Sequence, residues 1–164
     1  MIAIISDTHM PKGERRLPDA CRKRLAAAEA IVHAGDLSTL AVLDELRAIG
    51  PPVTAVHGNV DDAAARAALP QTAVVSLGAR RIAVLHDAGP ATGRLARMRR
   101  RFPDADAVIF GHSHIPLLES TPDGAFSIVN PGSPTERRRA PAHTMALAEL
   151  DDGGALRFQI VALD

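Results

Sequence analysis

With 164 residues the chain is long enough to bury a core without disulfides, and its 46% hydrophobic content is aliphatic, with no Trp or Tyr and only four Phe. Lys plus Arg and Asp plus Glu stand at 19 each, so no net field draws the chain to nucleic acid or an anionic membrane, and the missing aromatics remove the stacking platforms of single-strand binders. The lone Cys21 excludes an internal disulfide and a thiolate zinc site, and no apolar run reaches the roughly 18 residues that a membrane span needs.

The first expected element is a buried strand, Ile2 to Ile5, which breaks at Ser6-Asp7-Thr8-His9 and so delivers a carboxylate and an imidazole at its carboxyl end. No basic leader or cleavage-site pattern precedes it, and the expectation is a cytoplasmic protein folded as one domain over 1–164. A polar loop, Met10 to Arg16, leads to a helix that Pro18-Asp19 starts and that runs to Ala28. Ala30 to His33 is a second strand, ending in Ala34-Gly35-Asp36. Ser38 or Thr39 caps a helix with Leu40, Leu43 and Leu46 at helical spacing, stopped by Gly50-Pro51-Pro52. Val53 to Val56 is a third strand, ending in His57-Gly58-Asn59. This alternation predicts a parallel sheet built from βαβ units, an α/β fold.

Asp61 to Leu69 reads as a short Ala-rich helix closed by Pro70. Val74 to Leu77 and Arg80 to Leu85 read as a hairpin whose second strand ends in His86-Asp87. A helix from Ala91 to Phe102 puts Leu95, Met98 and Phe102 on one face. Ala107 to Phe110 is another apolar strand, ending in Gly111-His112-Ser113-His114. The rest is β-rich: Leu117 to Ser120, Ala125 to Val129, Met145 to Leu150 and Leu156 to Val161. This last third is expected to pack as a second sheet against the first.

Five strand ends thus carry Asp7, His9, Asp36, Asn59, His86, His112 and His114, seven oxygen or nitrogen donors. That is enough to hold two divalent ions with one carboxylate between them. Two metals about 3.5–4 Å apart acidify a bridging water to hydroxide and clamp the attacking and leaving oxygens of an in-line displacement at phosphorus. The donors contain no sulfur and mix carboxylate, amide and imidazole, which suits manganese, iron, nickel, zinc or magnesium.

In its order, Asp7-x-His9, Gly35-Asp36, Gly58-Asn59, His86 and Gly111-His112-x-His114, this set resembles the calcineurin-like metallophosphoesterase superfamily over essentially the whole chain. The short length resembles its small bacterial and archaeal phosphodiesterase branch. The resemblance implies a four-layer αββα sandwich, with Asp7, His9, Asp36 and His114 at one metal, Asp36, Asn59, His86 and His112 at the other, and Asp36 as the bridge. It implies a dinuclear, metal-dependent phosphodiesterase in which a metal-bridging hydroxide attacks a small phosphodiester, with Asn59 also reaching the phosphate. Two divalent cations, manganese first among them, are the expected cofactors, and a homodimer is in keeping with the small branch. A phosphomonoesterase is one rival. A scaffold or interaction protein that keeps the fold without catalysis is the other, although all seven positions hold competent donors.

Many members carry His after Gly-Asn, where this chain has Val60-Asp61, so the leaving-group acid stays open. Asp61 is a candidate for it, or else a helix cap. Asp87 either orients His86 or begins a loop. His33 and His57 read as structural, His143 as solvated, and Ser133 as part of a turn that could instead touch phosphate. The arginines at 97, 99, 100 and 101 and at 137 to 139 read as a solvated face by default, with an anionic-substrate rim or a nucleic-acid contact as the alternatives.

Overall fold

A computed structural model describes residues 1–164. In chain order the elements are β1 (Ile2–Ile5), α1 (Asp19–Ala26), β2 (Ala30–His33), α2 (Leu40–Arg47), β3 (Val53–Ala55), α3 (Ala63–Ala68), β4 (Thr72–Leu77), β5 (Arg80–Leu85), α4 (Arg94–Arg101) and β6 (Ala107–Ile109). Four strands follow: β7 (Leu117–Ser120), β8 (Ser127–Asn130), β9 (Thr144–Leu150) and β10 (Leu156–Ala162). No helix is long and apolar enough to cross a membrane.

Two five-stranded sheets form, in the orders β10-β9-β1-β2-β3 and β4-β5-β6-β8-β7. Within the first, β1, β2 and β3 run parallel; within the second, β5, β6 and β8 do. Successive side chains of a strand point to opposite faces, and β1 shows the result. Ile2 and Ile4 join Ile82, Val84, Ile109 and Val129 in the core between the sheets. Ala3 and Ile5 join Leu25, Leu43 and Leu46, where α1 and α2 cover the other face. On the far side, Leu85, Val108 and Ile128 pack with Met98 of α4. Helices, sheet, sheet and helix make the four-layer αββα sandwich that the resemblance implies.

The last third corrects one expectation. It does not make a second sheet of its own: β7 and β8 extend the sheet of β4, β5 and β6, while β9 and β10 return to pair beside β1. The reason is that β1, with Ile2 to Ile5 all buried, needs a neighbour on each edge to satisfy its amides. Two helix starts also shift. Asp62, not Asp61, caps α3 by accepting the Ala65 amide at 2.8 Å, and Gly93 in a left-handed conformation (φ 69°) delays α4 to Arg94.

Candidate metal centre

Both sheets aim the carboxyl ends of parallel strands at one place. Asp7 and His9 follow β1, Asp36 follows β2 and Asn59 follows β3; His86 follows β5, and His112 and His114 follow β6. These chain breaks are tight. Asp7 (φ 56°), His9 (47°), Asp36 (59°), His112 (70°) and His114 (61°) all occupy the left-handed region, five of the eight non-glycine residues that do so. Each such residue costs about 1–3 kcal/mol, and strain of this kind persists where surrounding structure over-determines it.

The over-determination is visible. The Asp7 amide donates to Gly35 O and the His9 amide to Asp36 O, both at 3.0 Å. Asp7 Oδ2 accepts from Ser6 Oγ at 2.6 Å and from the His112 amide at 3.0 Å. Asp36 Oδ1 accepts the Val60 amide at 2.9 Å. The glycines beside these donors leave room for them: a Cβ on Gly58 would overlap the Asp36 carboxylate, and one on Gly111 would overlap Ser6 Oγ and the Asp7 carboxylate.

Five of the seven residues form two groups that share Asp7. The ligand atoms of Asp7, His9 and His114 lie within 4.8 Å of one another, as do those of Asp7, Asp36 and His86. Asp36 Oδ2 stands between the groups, 3.4 Å from His9 Nε2 and 3.2 Å from His86 Nε2. Asn59 Oδ1 lies 3.0 Å from both His86 Nε2 and His112 Nδ1. Asp7, His9, Asp36, His86 and His114 are buried, whereas Asn59 and His112 are exposed at the rim. The structure therefore brings all seven together.

Hydrogen bonds fix the imidazoles from behind. His86 Nδ1 lies 2.8 Å from Ala34 O and His114 Nδ1 2.6 Å from Glu136 O, so each Nδ1–H donates outward and each Nε2 turns its lone pair inward. The Nε2 atoms of His9 and His114 are buried and have no hydrogen-bond partner. An unpartnered buried nitrogen is costly. Here two of them face carboxylates, with His114 Nε2 3.4 Å from Asp7 Oδ1, and a divalent cation would satisfy both kinds of group at once. The donor set fits metal.

Electrostatics agree. Burial disfavours charge on His9, but Asp36 and Asp7 outweigh it and raise the imidazole to about 9. Burial is likewise overcome at His86, which Asp36 and Asp7 push above its ordinary value. Burial also opposes charge on Asp36, yet His86 and His9 hold its carboxyl below the usual carboxylate range. At His114, burial prevails and lowers the pKa. Without metal, the carboxylate pair draws protons onto His9 and His86 in the place of cations.

Other residues fall differently from the sequence reading. Asp61 is no acid facing the cluster and no helix cap. It is buried, and its carboxylate accepts the amides of Gly58 (2.6 Å), Ser38 (2.7 Å) and Asp36 (3.1 Å), bracing two ligand loops. Asp87 turns to the Gly89 amide at 2.7 Å, away from His86, and so begins a loop. His33 is buried and structural: its Nε2 lies 3.0 Å from Thr8 Oγ1, its Nδ1 accepts the Gly35 amide, and burial lowers it to about 4. His57, read as structural, lines a cavity of about 270 Å³ beside Asn59 and His86. His143 is not merely solvated, since its Nδ1 pairs with Asp164 at 2.7 Å. Ser133 Oγ donates to Asp7 O at 2.8 Å, which commits it to the backbone. Of the arginine run, Arg97 holds the carbonyls of Ala88 and Pro90 and so fixes the loop after β5.

Sequence reasoning missed Glu136. Its backbone oxygen anchors His114, its carboxylate lies 3.7 Å from His9 Nδ1, and Arg15 holds that carboxylate at 3.0 Å. Nothing local marks it, because Thr135-Glu136-Arg137 is an ordinary polar loop in sequence.

Residues 1–153 match the sequence profile of the calcineurin-like phosphoesterase superfamily domain. The "Probable metallophosphoesterase" of Methanothermobacter thermautotrophicus is 31% identical over 163 residues, which cover 98% of this chain and 91% of that protein. Among solved structures, wild-type Vps29 of Entamoeba histolytica complexed with zinc superposes with a TM-score of 0.76 at 24% identity, over 99% of both chains. A structure described as a novel archaeal phosphodiesterase superposes with a TM-score of 0.71 at 21% identity, again over 99% of both. At these identities the two structural likenesses are of fold.

Proposed function

Because the chain belongs to the calcineurin-like phosphoesterase superfamily, we propose that it is a dinuclear metal-dependent phosphodiesterase acting on a small phosphodiester. The observation that carries this reading is the pair of buried, unpartnered Nε2 atoms of His9 and His114 turned toward the carboxylates of Asp7 and Asp36. Asp7, His9, Asp36 and His114 would hold one cation, and Asp36, Asn59, His86 and His112 the other. Bound there, two divalent cations supply positive charge for the phosphoryl oxygens and acidify the attacking water. The protein does the rest. Backbone amides aim Asp7 and Asp36, and Ala34 and Glu136 fix the tautomers of His86 and His114. The exposed rim residues Asn59 and His112 leave the cluster accessible from solvent on their side. Manganese is the cation we assign first, as a hard, oxygen- and imidazole-tolerant ion.

A second reading, a non-catalytic scaffold, has one observation in its favour: Val60 and Ile115, next in sequence to Asn59 and His114, expose apolar side chains beside the cluster (45% and 41%). Elemental analysis of purified protein, with turnover of bis(p-nitrophenyl) phosphate before and after added manganese, separates the two. The phosphodiesterase reading expects close to two metals per chain and manganese-dependent release of nitrophenol. Protein that binds no metal and releases none would establish the scaffold.

A further inference from the structure

The cavity of about 270 Å³ shares Asn59 and His86 with the cluster but is lined by none of Asp7, His9, Asp36 or His114, and it takes in residues that the proposed reaction does not use. Its walls have an unusual make-up for a ligand site. Leu85 is the only apolar residue lining it, and the imidazoles of His57 and His86 are its only rings. Two guanidiniums line it as well. Arg66 is held over the cavity by donating from Nη2 to the Asn59 carbonyl oxygen, which leaves its other N–H groups free. Arg101, in the last turn of α4, has no carboxylate partner, and its guanidinium carbon lies 5.3 Å from the centre of the Phe102 ring. The one carboxylate in the wall, Asp87, is engaged by the Gly89 amide.

We infer that this cavity holds a second oxyanion of the substrate, so that the preferred diester carries a further carboxylate or phosphate. A guanidinium presents a planar fork of donors to which carboxylate and phosphate oxygens fit in pairs, and two of them beside one phosphoryl site select a doubly anionic molecule. Placement supports this: Arg66 reaches the cavity from α3 on the Asn59 side and Arg101 from α4 on the opposite sheet, so an anion between them bridges the same two sheets as the metal cluster does. The inference rests on the phosphodiesterase reading for the identity of the phosphoryl site.

The test is calorimetric and needs no turnover. Manganese-loaded protein is titrated with propylphosphonate, with phosphonopropionate and with propylene diphosphonate, three ligands that share one phosphonate and differ in the distal group. At least one of the two distal oxyanions is expected to improve affinity about tenfold or more over propylphosphonate, and the larger gain identifies the group that the cavity takes. Arg101→Gln should bring the affinities together, with Arg101→Lys retaining part of the gain. Equal affinity of all three ligands for the unaltered protein overturns the inference, and so does a gain that survives Arg66→Gln and Arg101→Gln combined. If the gain is present but bis(p-nitrophenyl) phosphate is not hydrolysed, the oxyanion site stands and the phosphodiesterase reading falls. If hydrolysis is present without the gain, the reverse holds.

Discussion

Asp36 and His86 meet at 3.2 Å across the boundary between the two sheets, the carboxylate from the end of β2 and the imidazole from the end of β5. Neither sheet contains the site alone. Asp36 Oδ2 also lies 3.4 Å from His9 Nε2, so one oxygen serves both donor groups. Changing Asp36 to Asn keeps the shape and removes the shared charge. Metal content should fall below two per chain, and turnover of a generic aryl diester should drop by more than the roughly 100-fold typical of losing a supporting partner. Full metal content with full activity would contradict the shared role.

Gly58 is where a single methyl group should matter. A Cβ there would overlap the Asp36 carboxylate, and overpacking of this kind costs about 1–3 kcal/mol. Gly58→Ala should therefore weaken metal binding as well as lower stability, because the atom displaced is itself a ligand. Titration with manganese followed by a competing chelator measures the first effect, and thermal unfolding the second. An alanine variant with unchanged metal affinity would show that the carboxylate can move without loss.

Asp61 gives a prediction of a different kind. Removing its carboxylate in Asp61→Ala strips the acceptors from the amides of Gly58, Ser38 and Asp36. At about 1–3 kcal/mol for each amide left without a partner, the loss should reach about 3 kcal/mol or more. That corresponds to a melting temperature lower by roughly 6–12 °C. An Asp61→Ala variant that melted at the temperature of the unaltered protein would contradict the bracing role.

Protons and metal should compete. In the metal-free protein His9 titrates near 9, above its ordinary 6.5. A raised pKa means that the charged imidazole's contribution to stability is complete below about pH 6.5 and is lost as pH rises through about 9. Chelated protein should therefore melt progressively lower across that window, and His9→Gln should flatten the slope. Metal affinity should run in the opposite direction, rising with pH to about 9 because the cation displaces the proton. Calorimetry in buffers of different ionisation enthalpy counts the protons released. Manganese binding near neutral pH with no proton release would refute the exchange.

The donors themselves were legible because each sits directly after an apolar run. Ile2 to Ile5, Ile31 to Val32 and Val108 to Phe110 announce strands, and a carboxylate, amide or imidazole immediately past such a run is conspicuous. The supporting residues were not. Glu136 acts through a backbone oxygen and a carboxylate reaching His114 and His9 from a loop after β8, and sequence carries no trace of such a contact. Asp61 looked like a helix start because its three partners are amides distant in the chain. The sharing of the last four strands between two sheets was hidden for a similar reason: alternation identifies a strand, and it does not name the strand's neighbour.

The pairing of β1 has a consequence for biosynthesis. Ile2 and Ile4 pair with Ala30 and Val32 on one side, but with Ala148 and Ala146 on the other. A nascent chain leaving the ribosome can assemble β1, β2 and β3 early, yet the second edge of β1 stays uncovered until β9 has been synthesised. An open edge with apolar side chains invites pairing with other chains, and such long-range closure is slow. β1 thus keeps one edge open until β9 has been made. Chaperone dependence of this protein should concentrate on the interval between the appearance of β3 and that of β9.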